Sequence, residues 1–147
     1  MWNSLFVLTY NVDSQKNGIY DYLELSVMEH TNTDKISQII TTRKTAHTYF
    51  LKKSKVYQSF LAMEQTTFKD GKLSKLQKEL IAVGISVVIN CESCMEWHIQ
   101  QALEGGATEE EVLEAVDVGM EMGGGPATAS ARFAMNVLEY YNQKYRK

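Results

Sequence analysis

Between Leu80 and Ile89 the chain is apolar except at Gly84 and Ser86, and this run constrains the fold more than any other feature. Ser74 and Gln77 precede it at the spacing of a capping box, in which each side chain binds the other residue's backbone N–H and opens a helix. The spacing predicts a helix from 75 to about 89. A helix apolar nearly all round has no face to give to water, so it belongs at the centre of a fold with other helices around it. Gly84 costs roughly 1 kcal/mol against alanine in a helix interior. Its place here is explained if a neighbouring helix approaches closely.

The surrounding segments supply those neighbours. Thr33 caps an expected helix from Asp34 to about Phe50, with Ile36, Ile39, Ile40, Ala46 and Phe50 on its apolar side. A second covers about 52 to 67, with Val56, Phe60, Leu61, Ala62 and Met63 inward, and breaks near Gly71. Asn90 reads as the N-cap of a helix from Cys91 to about Glu104, which Gly105 and Gly106 end. Thr108 and Glu111 form a second capping box, opening a helix from 109 to about 122. After "GGGP" at 123–126, Pro126 suits the first turn of a last helix running to about Tyr145. The expectation is an all-α bundle of about six helices over residues 31–147, within the size of one core.

Residues 1–30 have a different texture. "WNSLFVLTYNV" and "IYDYLELSVM" are aromatic and β-branched, and Asn17-Gly18 between them is a turn signal, which predicts an N-terminal β-hairpin. A competing reading takes Met28 as the native start and residues 1–27 as an upstream extension. Neither assigns chemistry to this segment.

Charge is segregated. Residues 43–78 carry nine Lys or Arg against Glu64 and Asp70, while residues 79–131 carry ten acids and no Lys or Arg. Such faces either attract each other within the fold or meet between subunits and steer assembly. The net charge of -3 argues against general nucleic-acid binding. "SLFVLTY" at 4–10 is too short to span a bilayer, and it lacks the basic flank and cleavage site of a signal peptide.

"NCESCMEWHIQ", residues 90–100, holds both cysteines, Cys91 and Cys94, and one of three histidines, His98. On a helix these three fall at i, i+3 and i+7, on one face. Unpaired N–H groups and the helix dipole in the first turn favour a thiolate, and His98 lies one turn on to carry a proton. Three readings compete. The first is a redox or peroxide-reducing thiol pair. The second is a metal site, which lacks a fourth ligand because His30 and His47 stand alone as surface or partly packed residues. The third is a pair of inert, buried cysteines beside a packed histidine. So small a ring restrains the unfolded chain little and suits switching in a reducing cytoplasm. Glu79, at the edge of the apolar helix, is either a desolvated base or an exposed acid paired with Lys75 or Lys78.

Glu79, eleven residues, Cys91, two residues, Cys94, three residues, His98: this signature resembles that of the AhpD-like alkylhydroperoxidase and carboxymuconolactone decarboxylase superfamily. "DGKLSKLQKELIAVGISVVINCESCMEWHIQQALEGGATEEEVLEA" is similar to its core, and "MEMGGGPATASARFA" to its usual continuation. The resemblance covers roughly residues 50–140. It implies an AhpD-like helical fold assembled as trimers or as hexamers built from trimers. Members with the cysteine pair reduce peroxides or exchange disulfides; members without it decarboxylate a lactone by acid–base chemistry. By resemblance Cys94 is the peroxidatic cysteine, Cys91 the resolving one, and Glu79 with His98 the proton relay. The substrate is then a peroxide, and the reductant an external dithiol or dihydrolipoyl-type protein, with no bound cofactor or metal. The chain departs from the pattern at Ser93, where the best-known peroxidases carry a histidine, and Glu92 follows the first cysteine. An oligomeric redox sensor and a lactone decarboxylase working through Glu79 and His98 are the alternatives.

Overall fold

The computed structural model describes the backbone over residues 18–145 and the side chains over residues 32–145. The chain divides into two units, Met1–Thr31 and Asn32–Lys147. Every regular element among the described residues is a helix: α1 (Gly18–Lys53), α2 (Lys55–Thr67), α3 (Lys75–Val88), α4 (Glu92–Glu104) and α5 (Glu109–Tyr145). None of them is long and apolar enough to cross a membrane.

The expected central helix is α3. Ser74 caps it with both halves of the capping box in place, and Val83 and Val87 have no exposed surface. It packs against α4 and α5, which bring Met95, Ile99 and Ala102 from one side and Val112, Ala134 and Val137 from the other. Gly84 does mark a close approach. A Cβ there would lie 2.9 Å from the carbonyl oxygen of Ala115, and one on Gly119 would lie 2.7 Å from that of Gly84. The two glycines let the backbones of α3 and α5 come together where side chains would hold them apart.

The two expected C-terminal helices form one run, α5, interrupted at Gly124, where φ is 63° and ψ is -149°. That conformation favours glycine, and Pro126 falls just after it, in the first turn of the second segment, as expected.

Three expectations are corrected. The second arm of the predicted hairpin, from 19 onward, lies in α1, and Thr33 is inside that helix rather than at its start; the first arm falls outside the described residues. No residue of α2 is buried. Val56 is 81% exposed, Phe60, Ala62 and Met63 are exposed too, and Leu61 is half-buried. The pattern in α2 is amphipathic, but no described element of the chain covers its apolar side. The third correction is the cap of α4. Asn90 takes the left-handed conformation, φ 52°, and so turns the chain, while Cys91 is the N-cap.

Candidate functional site

The site lies where α3 gives way to α4. Asparagine tolerates the left-handed turn better than most residues, and the reversal at Asn90 lets Cys91 N–H donate to Ser86 O at 3.0 Å. Cys91 then caps α4 through its sulfur, which accepts from Cys94 N–H at 3.3 Å. The two cysteines are joined in a disulfide, with Cα atoms 5.2 Å apart. Both are half-buried, which the reading of inert core cysteines does not fit.

One turn beyond Cys94, His98 holds Glu79 of α3 through Nδ1 and Oε2 at 2.8 Å. Glu79 is only 3% exposed, so it is not the exposed partner of Lys75 or Lys78. Those lysines reach elsewhere: Lys75 Nζ donates to Gln101 Oε1, and Lys78 Nζ to the carbonyls of Thr67 and Lys69. Phe68 stacks on the His98 ring at 5.3 Å between centroids. Stacking and the carboxylate together fix the plane of the imidazole. With Nδ1 engaged, Nε2 is the nitrogen left for proton exchange.

Glu79 and His98 are thus joined across α3 and α4, and the bonded Cys91 and Cys94 stand at the head of α4, one turn before His98. The other described histidine, His47, has Nδ1 3.1 Å from the Tyr57 hydroxyl and stands apart from these residues, and the side chain of His30 lies outside the described residues. Among the described residues no group of three or more His, Cys, Asp or Glu could hold a metal ion.

A second polar cluster was not singled out in the sequence. Glu96, on α4 between Cys94 and His98, has no exposed surface. Arg43 of α1 reaches it with two bonds, Nε to Oε2 at 2.9 Å and Nη2 to Oε1 at 3.1 Å. Tyr141 of α5 donates its hydroxyl proton to the same carboxylate, and Arg43 stacks over Trp97 at 4.4 Å. Burial first, then the bond to Glu96, raises the Tyr141 phenol above its ordinary value. Nearer the surface, Lys35 pairs with Glu92 at 2.6 Å. Basic and acidic segments thus meet within the fold at Arg43 and Glu96. The signal for Glu96 is its place beside the apolar stripe of Met95, Ile99 and Ala102, where an acid needs a partner.

Residues 54–136 match the model of the carboxymuconolactone decarboxylase family. Over 81 residues the chain is 43% identical to uncharacterized protein 4 in the cox locus of Paracoccus denitrificans, covering 55% of this chain and 73% of that protein. The crystal structure of a carboxymuconolactone decarboxylase family protein from Legionella pneumophila superposes with a TM-score of 0.66 at 35% identity, over 75% of this chain and 96% of that one. An alkyl hydroperoxide reductase AhpD of Anaeromyxobacter dehalogenans is 37% identical over 70 residues, which are 42% of this chain and 38% of that enzyme.

Proposed function

The chain belongs to the carboxymuconolactone decarboxylase family, and from that premise we propose that it is a thiol-dependent peroxide or disulfide reductase working through Cys91 and Cys94. The observation that carries this reading is the cysteine pair at the head of α4, close enough to bond, with a histidine one turn on held by a buried carboxylate. A 70-residue likeness to an alkyl hydroperoxide reductase supports it.

In this cycle the Cys94 thiolate attacks the terminal peroxide oxygen. The O–O bond breaks, the alkoxide leaves with a proton from His98, and Cys94 becomes a sulfenic acid. Cys91 attacks that sulfur, the S–O bond breaks, and hydroxide departs as water with the Cys91 proton. The two sulfurs give up the two electrons that the peroxide gains. An external dithiol then restores both thiols by two exchanges. Glu79 holds His98 in one tautomer and stabilises it when charged. The donor is a small dithiol or a dihydrolipoyl-type protein, and a reducing compartment such as the cytoplasm suits the cycle. The chain works as a homo-oligomer, a trimer or hexamer, a reading supported by the uncovered apolar side of α2.

Ser93 stands where better-known peroxidases carry a histidine. Proton transfer here rests on His98 and Glu79 alone, and the rate is expected to be modest for an enzyme of this kind. The test is peroxide consumption driven by dihydrolipoamide. Cys94→Ser is expected to abolish it, and Cys91→Ser to leave one turnover and no more. Unchanged lactone decarboxylation after complete cysteine alkylation would favour the lyase reading, which uses the same Glu79–His98 pair.

A further inference from the structure

We propose that Arg43 is a positioning residue for the Cys91–Cys94 pair: from α1, outside the family-matched segment, it neutralises the buried Glu96 carboxylate that α4 carries across the helix from its thiols. The match begins at residue 54, so nothing in the family assignment accounts for Arg43. Yet Arg43 belongs to the same compact unit as the site, Asn32–Lys147.

Glu96 is two residues from Cys94 and two from His98 on one helix. Helix geometry sets its carboxylate about 10 Å from the Cys94 sulfur. It is fully buried, where a charge is screened far less than at the surface. An uncompensated carboxylate there would disfavour a thiolate on Cys94, the form the proposed reaction needs. The fork of Arg43 meets both carboxylate oxygens, the geometry in which guanidinium and carboxylate bind most strongly. The stacking on Trp97 restrains the guanidinium plane as well.

The other charged and titratable groups around the pair are few. From α3 comes Glu79, engaged by His98. From α5 comes Tyr141, donating to Glu96, with Lys144 over its ring. On α4 itself is Glu92, which Lys35 of α1 matches. So α1 answers both acids that flank Cys94, one at the surface and one in the core. Exposed pairs like Lys35–Glu92 contribute little, which leaves Arg43 as the contact that matters.

The proposal shares with the redox reading only the premise that Cys94 is a reactive thiol, and its test does not use peroxide. In the reduced full chain with Cys91→Ser, which isolates one thiol, the rate of Cys94 alkylation by iodoacetamide is measured against pH. Arg43→Met is expected to move the midpoint up, and Glu96→Gln, which leaves Arg43 uncompensated, to move it down. The double variant returns to the parent. Each single shift is expected to be about 0.6 to 1.2 pH units, the effect of a unit charge about 10 Å away at an effective dielectric of about 20 to 40. Opposite shifts cannot come from a general loosening of the fold. Folded variants whose profiles superimpose on the parent, or single variants that shift the same way, overturn the proposal. If Arg43→Met does not fold, Glu96→Gln and the double variant still decide it. A parent midpoint well above pH 9 would count against the peroxidase cycle while leaving the relative shifts readable.

Discussion

At Cys91 a serine does part of what the cysteine does, and an alanine does not. The Cys91 sulfur caps α4, and serine is among the preferred N-cap residues. In the reduced protein, Cys91→Ser is expected to unfold in urea within a few tenths of a kcal/mol of the parent, and Cys91→Ala about 1 kcal/mol earlier. Glu79→Gln is expected to slow peroxide-driven loss of thiols about 100-fold in stopped flow, because His98 loses the carboxylate that stabilises its charged form. The tyrosines make a separate, alkaline prediction. Burial and then Glu104 push the Tyr145 phenol up to about 12, and Tyr141 is raised as well. The unfolded chain releases these protons from about pH 10, so above that it binds fewer than the folded one and stability falls. The loss is expected to run from about pH 10 through about 12 in a urea-midpoint series, and Tyr145→Phe to flatten it. At this scale Cys91, Cys94 and His98 were legible because their spacing puts them on one face of a helix, whereas the pattern around Glu79 left an exposed acid open and only the family resemblance singled it out. Arg43 and Tyr141 were not legible. They lie 53 and 45 residues from Glu96, and no local period links them to it.

Among the elements, α3 was the most legible, since its run of apolar residues and its capping box agree. Gly84 pointed to a close neighbour but could not name Gly119, because the facing glycine is chosen by how α3 and α5 cross. Gly119→Ala would place a methyl against the Gly84 carbonyl. It is expected to lower stability by about 1 to 3 kcal/mol by urea unfolding. The α4 cap was misplaced by one residue because Asn90 satisfies the sequence signals for both a stop and a cap, and only backbone geometry separates them. The hairpin expectation failed over its second arm because alternating aromatic and β-branched residues express a preference that context overrides.

For the whole molecule, the least legible feature was where the apolar side of α2 goes. Its pattern read as inward, yet Val56, Phe60 and Met63 are exposed. A groove of about 710 Å³ between α3 and α5, lined by Ile81, Ile85, Val88, Val118 and Met122, is also open to solvent. The oligomer proposed above would cover such exposed apolar surface. Light scattering is expected to give three or six times 16.7 kDa, and Ile85→Glu to lower that mass. A monomer at micromolar concentration would overturn the proposed oligomer.

If Cys91 and Cys94 act together, a thiol count shows it. Free thiols are titrated on the reduced protein, again after one equivalent of an alkyl hydroperoxide, and again after a dithiol is added. Two thiols are expected to vanish together, alcohol to appear in equal amount, and the dithiol to restore both. Thiols that stay titratable while the peroxide persists would contradict a working pair and leave Glu79 and His98 as the centre of a different chemistry.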